Sequence, residues 1–107
     1  MTTKTADTYW VRLYLSGPIE VAKQVCREEC LREGLCVTIE PTTFIYTGGE
    51  EAGFVVGLVN YPRFPTIPEA LIVRARDLAI KLLDRTCQYS VLIMTPERTD
   101  WVTKREA

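Results

Sequence analysis

From Thr8 to Leu15 the chain alternates: Tyr9, Val11, Leu13 and Leu15 are out of phase with Trp10, Arg12 and Tyr14. A two-residue period of this kind predicts a strand with one face turned to a core. Ser16-Gly17-Pro18 follows. Proline suits a first helical position, and Glu20 in the first turn complements the helix dipole. A helix is expected from Pro18 to Glu33, with Ile19, Ala22, Cys26 and Cys30 on one stripe and Gly34 as its stop. Cys36–Tyr46 and Ala52–Tyr61 are rich in β-branched and aromatic residues and flank Thr47-Gly48-Gly49-Glu50-Glu51, which predicts one long hairpin. At ~3.3 Å per residue its arms reach about 33 Å, so the tip should project beyond the helices. Tyr61 to Pro68 contains three prolines and reads as a stiff connection. A second helix follows from Glu69 to Asp84, with Leu71, Ile72, Ala75, Leu78, Ala79 and Leu82 as its apolar stripe. Gln88 to Met94 is the last predicted strand. Pro96 ends it, leaving a charged tail that carries Trp101 and Val102.

The order strand-helix-strand-strand-helix-strand over residues 8–94 resembles the ferredoxin-like, split βαβ (βαββαβ) arrangement. The resemblance implies an α+β domain with a four-stranded antiparallel sheet in the order 4-1-3-2. Both helices would lie on one sheet face. The expected organisation is a flexible arm over 1–7, a single domain over 8–95 and a tail over 96–107. A fold of this type hosts many functions and selects none of them.

Composition narrows the field. The net charge of -1 lacks the basic excess of a duplex-binding surface, so nucleic acid is not expected as a partner. No apolar run approaches a membrane span. Met1 to Asp7 is polar and lacks the apolar core of a signal peptide, which implies a cytoplasmic protein with its four cysteines reduced. The absence of histidine excludes Ser-His-Asp and Cys-His mechanisms within one chain.

Several groups of residues are candidates for chemistry. Cys26 and Cys30 lie one helical turn apart, and Cys36 and Cys87 could complete a metal site. No C-x-x-C knuckle is present, however, and both helical cysteines fall on the apolar stripe. Core packing is therefore expected, with no metal and no cofactor. Trp10, Arg12 and Tyr14 should stand on the sheet face away from the helices, with Trp10 covered by another chain or by Trp101 and Val102 of the tail. A two-residue Gly48-Gly49 turn would set Phe44 opposite Gly53 and Glu40 opposite Gly57. Glycine in a strand can mark a close approach, so Gly57 flanked by Arg12 and Glu40 is a candidate ligand hollow. Tyr61, Arg63 and Phe64 together suit a recognition loop. No Walker or dinucleotide glycine motif occurs.

These features lead to the expectation of a non-enzymatic protein-interaction module. It would be homodimeric through the open sheet face or the hairpin, or bound to a partner protein, as an accessory or inhibitor protein of a phage or mobile element would be. The alternative is a small-ligand or nucleotide binding domain around Gly57, Arg12 and Glu40. A cofactor-independent enzyme using Tyr14, Arg12 or Glu40 is disfavoured, because no set of titrating groups converges in the sequence.

Overall fold

The alternation at the start of the chain becomes the central strand β1 (Trp10–Ser16), hydrogen-bonded along both edges. Around it the computed structural model, which describes residues 1–105, sets α1 (Ile19–Glu33), β2 (Val37–Tyr46), β3 (Gly49–Val59), α2 (Pro68–Arg85), β4 (Ser90–Met94) and β5 (Thr99–Thr103). All strand pairs are antiparallel, and the sheet order is β2-β3-β1-β4-β5. The four expected strands stand in the expected order. The fifth corrects the prediction of a four-stranded sheet and of a charged tail. Thr95 makes it possible: its N–H donates to Arg98 O at 2.9 Å, and its hydroxyl oxygen accepts from the N–H of Glu97 and of Arg98. That tight turn sends the chain back along β4, where Val102 packs against the core opposite Val91. Residues 106 and 107 of the expected tail lie outside the described residues.

The core lies between the sheet and the two helices. Val11, Leu13 and Leu15 from β1, Phe54, Val56 and Leu58 from β3, and Val91 and Ile93 from β4 are all buried. Helix α2 covers them with Leu71, Ala75, Leu78, Ala79, Leu82 and Leu83, close to the predicted stripe. Helix α1 contributes Ala22, Val25 and Cys26, whereas Cys30 is only half-buried. This corrects its expected core position: Cys30 sits at the rim facing β2, where the cover ends. The four cysteines are unpaired thiols, and burial pushes the Cys26 thiol up to about 11. No helix among the described residues is long and apolar enough to cross a membrane.

The hairpin register differs from the predicted one. Tyr46 pairs with Gly49, so the turn is Thr47-Gly48, and Gly48 alone takes positive φ (95°). Phe44 therefore faces Glu51, Thr42 faces Gly53 and Thr38 faces Gly57. The slip is a two-residue change in pairing, so every side chain keeps its face. Ile45, Tyr46, Glu50 and Glu51 are exposed beyond the helices, and the molecule measures 51 × 28 × 25 Å.

Two strand glycines are spacers. A Cβ on Gly53 would collide with the Leu15 carbonyl oxygen and would lie 2.5 Å from the Phe44 ring. A Cβ on Gly57 would lie 2.6 Å from the Thr38 hydroxyl. The Thr38 side chain therefore stands in the space that the missing Gly57 side chain leaves. Replacing Gly53 with alanine should cost about 1–3 kcal/mol, the range for overpacking a filled site, read as a lower urea midpoint with an unchanged slope.

The helices are clamped by charge. Glu29, buried although charged, accepts from Arg32 at 2.9 and 3.1 Å and from Lys81 of α2 at 2.6 Å. A second link joins Arg85 to Glu28 at 2.8 and 3.3 Å. The Arg32 guanidinium, then the Lys81 ammonium, hold the Glu29 carboxyl down to about 2 against the opposing effect of burial. A folded-state value below the unfolded one means stabilisation that is complete above the ordinary carboxylate range and lost as pH falls toward the folded value. Glu29→Gln should therefore melt well below wild type near neutral pH. The difference should narrow below pH ~4.5 and close near pH ~2, as followed by circular dichroism.

Candidate ligand site on the open sheet face

The face of β1 that carries Trp10, Arg12, Tyr14 and Ser16 has no helix over it. Paired positions in an antiparallel sheet share a face, so the registers write out rows across it. One row runs Glu40, Val55, Tyr14, Leu92, Trp101. The next toward the hairpin tip holds Thr42, Gly53 and Ser16, and Ser90 and Thr103 form the neighbouring pair on β4 and β5. Phe44 leans over Gly53, whose missing Cβ admits the ring. The result is a hollow of about 200 Å³ with Tyr14 and Leu92 as floor, Phe44 and Trp101 as walls, and Ser16 and Ser90 at its edge. Ser90 Oγ donates to Thr103 Oγ1 at 2.8 Å, which fixes that rim.

A second hollow of about 260 Å³ adjoins the first and shares Ser16, Ser90 and Trp101 with it. Its other walls are polar: Glu51, Gln88, Tyr89 and Arg105. The Arg105 guanidinium sits over the Tyr89 ring at 5.4 Å. Glu51 lies on the same face as Phe44 and Tyr46, and Tyr46 folds back across Gly49, where a Cβ would meet its hydroxyl oxygen at 3.2 Å. Partial desolvation, then the negative charge of Glu51, hold the Tyr46 proton above the usual tyrosine range. An aromatic chamber thus opens onto a chamber with one anionic and one cationic wall.

The predicted site residues divide. Tyr14 forms the floor of the aromatic chamber. Glu40 shares its row but stands exposed on the edge strand, away from the hollow. Trp10 lies on the open face as expected, but the cover expected from the tail is absent. Its ring carries the Arg12 guanidinium at 4.5 Å, and β5 runs two strands away with Trp101 in the Tyr14 row. Tyr61, Arg63 and Phe64 cluster at the opposite end of the sheet: Tyr61 and Phe64 rings stand 5.8 Å apart and Arg63 lies 5.5 Å from the Phe64 ring. A larger hollow, about 400 Å³, lies at that end between the N-terminal arm and the 60–68 loop. Asp7 is its sole charged wall, and no set of reactive groups converges there. Among the described residues no cluster suits a metal ion.

Phe44, Glu51, Trp101 and Arg105 were not singled out as site residues in the sequence. Glu51 falls in the segment between the two predicted arms, whereas in the structure it belongs to β3 and pairs with Phe44. Trp101 and Arg105 fell in a presumed tail. The signal was present in Thr95-Pro96, a turn former, followed by the alternation Asp100-Trp101-Val102-Thr103.

No protein-family model matches the sequence, and no curated protein matches it. Solved structures do. A phage SAM lyase in its apo state superposes with a TM-score of 0.79 at 13% identity, over 100% of this chain and 98% of that one. A phage SAM lyase in complex with S-methyl-5'-thioadenosine superposes with a TM-score of 0.71 at 12% identity, over 99% and 98%. At such identities the likeness is one of fold, and it spans both chains end to end. It overturns the expectation of a non-enzymatic interaction module, since the α+β fold with its five-stranded sheet is one that carries a ligand-binding enzyme.

The two tryptophans provide a direct check on the geometry. Trp101 is 60% exposed while Trp10 is half-buried beneath Arg12. In Trp10→Phe the remaining emission should be red-shifted and strongly quenched by acrylamide. In Trp101→Phe it should be bluer and quenched less.

Proposed function

We propose that this chain binds S-adenosylmethionine on the open face of its sheet and cleaves it to S-methyl-5'-thioadenosine. The observation that carries this reading is the end-to-end fold likeness to two structures of phage SAM lyase, one of them bound to that thioether. The aromatic chamber supports it independently. A purine is a flat π-surface, and Trp101, Phe44 and Tyr14 offer three aromatic side chains around one hollow. Base–aromatic stacking is worth about 1–3 kcal/mol per base and requires no hydrogen-bond code. The hydroxyls of Ser16 and Ser90 at the rim suit a ribose.

The same chamber suits the chemistry at sulfur. A lyase step breaks the bond between sulfur and the four-carbon chain without water. The electron pair of that bond goes to sulfur, and the carbon it leaves takes its new bond from an α-carboxylate oxygen of the same fragment, which closes to a lactone. The sulfonium charge disappears in the process. Aromatic faces attract the sulfonium cation and hold it against the sheet. The chain's contribution is to stack the nucleoside and hold the reactant folded against the sheet.

Incubation of the purified chain with S-adenosylmethionine should release S-methyl-5'-thioadenosine, resolved by liquid chromatography against a protein-free control. Trp101→Ala and Tyr14→Ala should each lower kcat/KM by about tenfold or more, as expected for loss of a stacking contact of ~1.4 kcal/mol or greater, with unchanged melting. Release no faster than in the control, together with no binding of S-methyl-5'-thioadenosine, would exclude the reading.

A further inference from the structure

The aromatic chamber accounts for the nucleoside and the sulfur, but S-adenosylmethionine also carries an α-amino acid. The second hollow has the complementary walls. Glu51 and Arg105 both line it, yet they form no ion pair with each other, and Arg105 forms none with any carboxylate among the described residues. Opposite charges on the walls of one hollow of about 260 Å³, left apart, leave room for a group bearing both signs. Tyr89 supports the guanidinium from one face at 5.4 Å, which leaves the donors at its edge to meet a carboxylate, where two parallel N–H···O bonds are the favoured geometry. Gln88 adds an amide that can donate or accept.

We infer that the hollow between Glu51 and Arg105 is the subsite for the substrate's amino-acid end: Arg105 takes the α-carboxylate and Glu51 the α-ammonium. The inference rests on the reading that the neighbouring chamber holds the adenosyl group. The subsite sets specificity and orients the carboxylate that makes the new bond, and it supplies no atom to the reaction. The product S-methyl-5'-thioadenosine lacks the amino acid, so it gains nothing from this hollow. Substrate is then held at both ends and product at one, which favours release after cleavage.

S-adenosylhomocysteine separates the two subsites, because it keeps the amino acid but has a neutral sulfur and is not a sulfonium substrate. Calorimetric titration with it and with S-methyl-5'-thioadenosine should show wild type preferring the former. In Arg105→Ala, affinity for S-adenosylhomocysteine should fall about tenfold, equal to ~1.4 kcal/mol. Affinity for S-methyl-5'-thioadenosine should hold, and Arg105→Lys should recover part of the loss. Glu51→Gln should behave as Arg105→Ala does. Both variants leave the core untouched, and circular dichroism would confirm their fold. Two results would overturn the subsite: wild-type affinity for both ligands in Arg105→Ala and Glu51→Gln, or an equal loss for both ligands. The first leaves the lyase reading standing. If wild type binds neither ligand, the lyase reading fails, and the subsite fails with it.

Discussion

The period-two alternation of β1 governs the whole molecule. Its backbone is satisfied on both edges by β3 and β4, so its side chains have two destinations only. Val11, Leu13 and Leu15 go under the helices, where their burial drives folding. Trp10, Arg12, Tyr14 and Ser16 go to the face that no helix covers. A one-residue change of register would exchange these sets and destroy both core and site at once. The helix side is further constrained by Glu29. A carboxylate in that position is tolerable only because Arg32 and Lys81 satisfy it.

Much of this was legible in the sequence because it depends on local periodicity. The alternation in Tyr9–Leu15, the stripe Leu71-Ala75-Leu78-Leu82 and the glycine turn specify elements and faces without knowledge of the rest of the chain. What the sequence concealed depends on pairings between distant segments. The strand Thr99–Thr103 is short and mixed in charge, and it exists because Val102 finds Val91 and Thr95 closes the turn. The Glu29 clamp was hidden for the same reason: a charged residue beside an apolar stripe reads as solvated until its partner on another helix is known.

The candidate site was legible in part. Tyr14 could be placed on the open face by parity alone. Gly57 also lies on that face, where a glycine can make room for a ligand or for a neighbour, and Thr38 is the neighbour. At Gly53 the space is likewise taken, but by an aromatic ring that becomes a wall of the hollow. Glu51, Trp101 and Arg105 converge from β3, β5 and the residues just after it, a convergence that no spacing in the sequence encodes.

The split between a helix-covered face and an open one also separates what the molecule can change from what it must keep. Open-face side chains are mostly half-exposed, so replacing one disturbs few buried contacts, and surface changes of that kind usually shift stability by no more than about ±0.5 kcal/mol. The covered face has no such latitude. Chains built on this plan can therefore change many open-face residues at little cost in stability while their backbones stay superposable. A pair of chains that share 13% of their residues over a common length is the outcome such a division of labour permits.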